Sequence, residues 1–282
     1  MKLEIHYAAN YRYPERVSFS PHIFRLIPKV DRYLKVQRFD FRTNRNAVIN
    51  WRRDIFDNEV ASVFYPAASQ LLRVRFRLKL EIEKKNAFGF LLESRALDLP
   101  FDYEPEEKRV LTPYLSSAPP PALGFWQRPA SPRPTVETLV ELNEALKRHL
   151  KYERREEGVA RSSSETLSIG RGACRDFSVV LVDTLRGLGL AARYASGYLC
   201  EFGAAGKKAE GSLHAWVETY LPGAGWIGLD PTNGTFCDHY HLTAAVGATS
   251  EDISPIEGSY FHPKRVAQEM TAKLTIVSRE RR

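Results

Sequence analysis

An α+β fold is predicted: an N-terminal antiparallel β domain, then a core in which a helix packs on an antiparallel sheet. Three observations carry this. Residues Leu72 to Glu83 alternate strictly, with Leu72, Val74, Phe76, Leu78, Leu80 and Ile82 on one face and Arg73, Arg75, Arg77, Lys79, Glu81 and Glu83 on the other. That period of two describes a sheet with one buried and one wet face. Apolar residues recur at helical spacing after Thr135 and again after Cys174. Three strand-like segments follow the second of these helices.

Elements follow in order along the chain. Leu3, Ile5 and Tyr7 alternate with polar residues, and Leu34 and Val36 open another candidate strand. Trp51 to Tyr65 reads as a hairpin around Asp57-Asn58, a pair suited to a tight turn. A β domain is therefore expected over about 1–90. A connector over 91–134 is punctuated by Pro113, Pro119, Pro120, Pro121, Pro129, Pro132 and Pro134, residues that exclude a helix interior at Pro119 to Pro121. Thr135 is a reasonable N-cap for a helix carrying Val136, Leu139, Val140, Leu146 and Leu150. A Ser-rich loop, Ser162 to Ser164, leads to a helix starting near Cys174, with Phe177, Leu181, Leu185 and Leu188 as its stripe and Gly187 and Gly189 at its end. Strands are expected at Ala191–Leu199, Leu213–Leu221 and Trp226–Asp230, with a flexible loop at Gly203 to Gly206 and a hairpin link at Gly223-Ala224-Gly225. The core is taken as 135–245. An extension over 246–282 ends in a strand, Ala272–Val277, for which a return to the N-terminal sheet is one option.

The 282 residues are 43% hydrophobic and 27% charged, a globular composition with room for a large core. The formal charge is +7, spread over scattered arginines apart from a short cluster at Arg279, Arg281 and Arg282. Without a zinc finger, an aromatic RNA-binding signature or a long basic helix, a solvated basic face is expected, with no nucleic-acid partner. Three cysteines, Cys174, Cys200 and Cys237, are too few and too odd for a disulfide framework. Neither a signal-peptide stretch nor a membrane-span length is present, so a soluble, cytoplasmic chain without membrane contact is expected.

Cys174 follows the small residues Gly172-Ala173 and begins a helix. Unpaired N–H groups at a helix N-terminus favour thiolate over thiol and can hold a developing oxyanion. His214, in Leu213-His214-Ala215-Trp216-Val217-Glu218, shares a strand face with Trp216, whose ring is placed to shield the imidazole. A histidine beside a cysteine takes its proton and forms an ion pair. Asp230 ends a strand at Asp-Pro, where it can orient His214 through the second ring nitrogen. Asp176, Tyr198 and Trp216 are candidates for supporting hydrogen bonds or packing around this trio. Cys237-Asp238-His239-Tyr240-His241 holds zinc-type ligands, but the spacing is not that of a finger and no second cluster exists, so a polar loop and no metal are expected. Cys200 reads as a packed apolar residue.

The order of helix-start cysteine, strand histidine and strand-end aspartate resembles the catalytic core of the bacterial transglutaminase-like superfamily, proteins described as candidate cysteine proteases. The matching pieces are Gly172-Ala173-Cys174-Arg175-Asp176-Phe177, Arg193-Tyr194-Ala195-Ser196-Gly197-Tyr198-Leu199, His214-Ala215-Trp216-Val217-Glu218 and Gly228-Leu229-Asp230-Pro231-Thr232-Asn233. Tyr11-Arg12-Tyr13, Ser20-Pro21-His22 and Trp51-Arg52-Arg53-Asp54 are similar to the family's N-terminal β region. The resemblance implies a papain-like arrangement and a Cys174, His214, Asp230 triad. It also implies thiol-dependent acyl transfer or hydrolysis at an amide of a peptide or protein, with no cofactor. No EF-hand loop suggests calcium. Where relatives often carry Gly-Arg-Asp-Tyr this chain reads Gly247-Ala248-Thr249-Ser250, which leaves substrate preference open. The alternative is a non-catalytic scaffold that binds a peptide or partner on the same fold.

Overall fold

The computed structural model describes residues 1–116, 118–155, 158–202, 208–264 and 266–278, with the backbone alone for those of residues 201–211 that it describes. The loop expected at Gly203 to Gly206 lies outside the described residues. The first six strands are β1 (Lys2–Phe19), β2 (His22–Phe24), β3 (Leu34–Arg42), β4 (Val48–Arg53), β5 (Glu59–Phe64) and β6 (Ser69–Ile82). A mixed stretch follows: β7 (Asp98–Leu99), α1 (Pro105–Leu111), β8 (Arg133–Pro134), α2 (Thr135–His149), β9 (Lys151–Tyr152), α3 (Ser163–Ile169), β10 (Arg171–Gly172) and α4 (Cys174–Gly187). The last part holds β11 (Ala192–Phe202), β12 (Lys208–Leu221), β13 (Gly225–Asp230), β14 (Thr235–Phe236), β15 (His241–Gly247), β16 (Ile256–Glu257), β17 (Tyr260–Phe261) and β18 (Glu269–Ser278).

The alternation in β6 becomes burial: Leu72, Val74, Phe76, Leu78, Leu80 and Ile82 are all buried. β6 lies between β1 and β3, with Leu78 opposite Ile5 on one side and Phe39 on the other. The Asp57-Asn58 hairpin forms between β4 and β5, with Asp57 at φ 61, a left-handed turn position. Its Asn58 is buried and bonds the backbone of Val246 in both directions, tying the N-terminal region to β15.

β18 pairs antiparallel with β1 over Leu3 to Arg12, so the C-terminal strand does return to the N-terminal sheet. It also touches β12 at Lys208 and Ala209. The result is one ten-stranded sheet in the order β14-β13-β12-β18-β1-β6-β3, with β11 and β15 continuing beyond β12 and the short β17 pairing with β1. Two apolar cores lie along it. One gathers the inward residues of β1 and β6. The other packs α2 and α4 on Ala215, Val217, Leu221 and Leu229.

Two local expectations are corrected. Thr135 is the first residue of α2 rather than its cap, and its hydroxyl donates to the Ala96 carbonyl. Ser162 to Ser164 is not a loop: Ser162 caps α3, accepting from the Glu165 N–H. Among the described residues, no helix is long and apolar enough to cross a membrane.

Candidate active site

Helix α4 starts where three constraints meet. Asp176 is fully buried and occupies the third helical position. Its Oδ2 accepts from the Ala173 N–H at 2.8 Å, and Oδ1 accepts from the Arg155 guanidinium at 2.6 Å and the Arg161 N–H at 2.8 Å. A Cβ on Gly172 would stand 2.7 Å from Asp176 Cβ, so only glycine allows this approach. β10, just before the helix, pairs parallel with β9 and fixes the entry of the chain. Cys174 is thus held as the first helical residue, half-buried, beside N–H groups without intrahelical partners.

β12 supplies the histidine from an incomplete edge. β11 pairs with it on one side over Ala209 to Thr219. On the other side β18 reaches only Lys208 and Ala209, and β13 only Val217 to Leu221. Residues 210–216 therefore have no strand partner on that side among the described pairings, and the start of α4 fills the gap. There the Ala215 N–H and the His214 ring lie against the Cys174 sulfur and favour its thiolate. Gly197 stands opposite His214 in the ladder.

Asp230 is the last residue of β13 and is fully buried. Its Oδ1 accepts from the N–H groups of Thr232 and Asn233 at 3.0 and 3.2 Å, closing the turn that Pro231 enforces. Asn143 of α2 donates to the Asp230 and Thr235 carbonyls, which braces the turn from the helix layer. His214 Nε2 lies 2.8 Å from Asp230 Oδ2. An ionised carboxylate only accepts, so Nε2 carries a proton and Nδ1 is left for the sulfur.

The electrostatics follow from these contacts. Burial opposes ionisation of Cys174, but the His214 hydrogen bond and charge and the Ala215 N–H outweigh it and hold the thiol below its ordinary value. Burial also opposes charge on His214, yet Asp230 and Cys174 raise it to about 9. Asp230 is driven well below the carboxylate range, against burial, by His214 and His241. The arrangement is built to hold a thiolate–imidazolium pair with the carboxylate ionised beside it.

The structure thus brings Cys174, His214 and Asp230 into one row, with His214 against the sulfur and hydrogen-bonded to Asp230. Trp216 is buried beside it, its ring 6.2 Å from that of His214 and inclined at 30°. Asp176 acts through the helix start rather than on the row. Tyr198 is a correction. It is the neighbour of Gly197, so alternation turns it to the opposite sheet face from His214. Its hydroxyl donates to the Leu26 carbonyl at 2.7 Å and its ring lies against Phe76, inside the first core.

His241 was missed by the sequence reading, which placed it in a polar loop. It opens β15, and its Nε2 lies 3.2 Å from Asp230 Oδ2. The signal available was a histidine shortly after Asp230, but nothing in the spacing showed that the turn folds back. Cys237 is buried with Trp216 in a small apolar cluster, close against Gly228. Cys200 is buried in the first core.

Residues 126–231 match the model of the transglutaminase-like superfamily core, and residues 3–81 match that of the bacterial transglutaminase-like N-terminal region. The chain belongs to the transglutaminase-like superfamily. Among its relatives is the Mycobacterium leprae protein ML0607, 35% identical over 105 residues, which are 36% of this chain and 37% of that protein. Mycobacterium tuberculosis Rv2569c is 32% identical over 133 residues, 45% of this chain and 42% of that protein. The match therefore spans less than half the length of these curated relatives. A solved structure described as "a Putative Cysteine Protease from Cytophaga hutchinsonii" superposes with a TM-score of 0.67 at 15% identity, covering 100% of this chain and 92% of that one. At that identity the likeness shows the shared fold. Membership of the superfamily supports a cysteine enzyme and thiol-dependent catalysis as the general chemistry.

Proposed function

We propose that this protein performs acyl transfer at a carboxamide of a peptide or protein, through a Cys174–His214–Asp230 triad and a thioester, with water as the usual acceptor. The observation that carries the reading is the convergence of the three side chains. The sulfur sits at the head of α4, the His214 ring lies against it, and Asp230 bonds the far ring nitrogen at 2.8 Å.

The Cys174 thiolate attacks the carbonyl carbon, forming a C–S bond as the carbonyl π pair moves to oxygen. The Cys174 backbone N–H is a donor available to that oxyanion, since a first-turn N–H has no intrahelical partner. His214, already imidazolium, gives its proton to the departing nitrogen as the C–N bond breaks, leaving a thioester and a neutral imidazole. The imidazole then takes a proton from water, whose oxygen attacks the thioester. The carboxylic acid leaves and the thiolate–imidazolium pair is restored. A primary amine in place of water gives a crosslink through the same steps. Asp230 keeps its charge throughout and holds the ring in orientation.

The test is mass spectrometry of the protein after brief exposure to a peptide library, followed by acid quenching. A peptide acyl group on Cys174 is expected, and its mass identifies the donor. Cys174→Ala should lose the adduct and any amidase activity found with that donor, by about 10⁴-fold or more. Amidase activity retained in Cys174→Ala would refute the reading. A thiol inert to alkylation at neutral pH would favour a binding scaffold.

A further inference from the structure

Asp230 serves two histidines, and only His214 belongs to the proposed triad. Its Oδ2 takes His214 Nε2 at 2.8 Å, Asn233 Nδ2 at 2.7 Å and His241 Nε2 at 3.2 Å. The His241 side chain is 7% exposed. Its Nδ1 lies 3.4 Å from Asp238 Oδ1 and 3.4 Å from the Asp238 backbone nitrogen. The Cys237 thiol also faces this ring, and the Trp216 ring stands 5.6 Å away in a T-shaped contact. The groups facing His241 are therefore Asp230 from the end of β13, Trp216 from β12, and Cys237 and Asp238 from its own loop, with His214 across the shared carboxylate.

A neutral imidazole has one N–H to give. Placed on Nε2 for Asp230, it leaves a lone pair on Nδ1 within reach of the Asp238 N–H and the Cys237 thiol, but also 3.4 Å from an Asp238 carboxylate oxygen that it cannot serve. A ring protonated on both nitrogens donates to both carboxylates instead. Charge balance favours the same state. With Cys174 and His214 as an ion pair, Asp230 and Asp238 are two uncompensated negative charges, and a charged His241 offsets one of them. Burial works against that charge, but the hydrogen bonds and charges of Asp230 and Asp238 outweigh it and raise His241 above its ordinary value.

We propose that His241 is a positioning residue that sits on Asp230 as an imidazolium, so that the carboxylate is shared between two rings and draws the His214 proton less strongly than it would alone. The inference rests on the proposed triad. Its consequence is kinetic. An unshared Asp230 would hold His214 protonated to higher pH, and its field would also oppose the Cys174 thiolate more strongly. Sharing the carboxylate lowers both limits of the ion-pair window.

Two measurements on the full chain test this. Imidazole nitrogen NMR of the ¹⁵N-histidine protein, assigned with His239→Gln and His241→Gln, reads the charge of His241 directly. Both ring nitrogens protonated at pH 8 is the expected result, and a neutral ring at that pH overturns the proposal. The second measurement is the rate of Cys174 alkylation by iodoacetamide against pH, in wild type and His241→Gln. Gln keeps an N–H donor for Asp230 and removes the charge. Both limits of the reactive window should move up, by on the order of one pH unit. Unmoved limits with lowered thermal stability would make His241 merely structural and overturn the proposal. If the wild-type thiol titrates at its ordinary value, the triad reading fails, and the ring spectra alone then decide the charge of His241.

Discussion

His22 and His214 are almost equally buried, at 6% and 7% exposure, yet burial leads them in opposite directions. His22 sits in the N-terminal region among Phe19, Phe24 and Tyr65, with one ring nitrogen on the Ser20 carbonyl. Desolvation prevails there and lowers its pKa. His214 sits between a thiol and a carboxylate, and the same desolvation is overcome, to about 9. The contrast extends to whole regions. Among the described residues up to 90, the buried polar side chains are Glu4, His22 and Asn58. Among the described residues between 135 and 245 they number twelve, Asp176, His214 and Asp230 among them. The N-terminal sheet is held by apolar packing, whereas the region of the candidate site buries many polar side chains, whose desolvation their hydrogen bonds offset.

The largest effect that tests this division is expected from the apolar side. Leu78 is fully buried between Ile5 and Phe39. Leu78→Ala should cost about 2–5 kcal/mol of stability through lost transfer energy and a cavity. In urea unfolding the midpoint should fall, while Cys174 alkylation in the folded protein keeps its pH profile. A changed profile would mean that the two regions do not act separately.

From the polar side, Asp230→Asn keeps the shape and removes the charge that holds His214 protonated. Alkylation of Cys174 at pH 7 should slow about ten- to a hundredfold, the thiolate fraction lost when a thiol rises by one to two units. Equal rates in the variant and the wild type would show that Asp230 does not support the ion pair.

The two histidines predict different pH behaviour. The folded pKa of His22 is lowered, so the unfolded chain binds the extra proton and stability falls as pH drops below 6.5, its ordinary value. His22→Phe should flatten that acid limb in thermal melts taken from pH 7 to 5. His214 is raised, so its proton is retained until pH rises through about 9. Since that proton goes to the leaving group, turnover should begin below the ordinary thiol range and decline near pH 9. A decline near 6.5 instead would place His214 outside the chemistry.

The sequence made the apolar region legible because a half-buried strand writes its own period: every second residue from Leu72 to Ile82 is apolar, and every one of them is buried. The proposed triad was legible because helix-start cysteine, strand histidine and strand-end aspartate occur together in an order that resembles the family core. Fold-back contacts were not. β15 is buried along most of its length, so Leu242 to Gly247 carries no clear alternation and drew no strand expectation, while His241 fell in the stretch expected to be a polar loop. Helix α1 and helix α3 have 7 residues each, too few for periodicity to register, although Pro105 at the first helical position and Ser162 as cap were present as signals.

Tyr198 marks the boundary between the two regions most finely. It lies on β11 one residue from Gly197, the partner of His214, yet its side chain belongs to the N-terminal core. Tyr198→Phe removes one hydroxyl and leaves the ring against Phe76. The Leu26 carbonyl loses a 2.7 Å donor in a buried setting, which should cost about 1 kcal/mol. Sheet geometry turns the hydroxyl away from His214, so the alkylation profile of Cys174 should overlay that of wild type. A drop in stability with an unchanged profile assigns the residue to packing across the sheet. A shifted profile with unchanged stability would show that the sheet passes an electrostatic effect from one core to the other, and that the two regions are less separate than their side chains suggest.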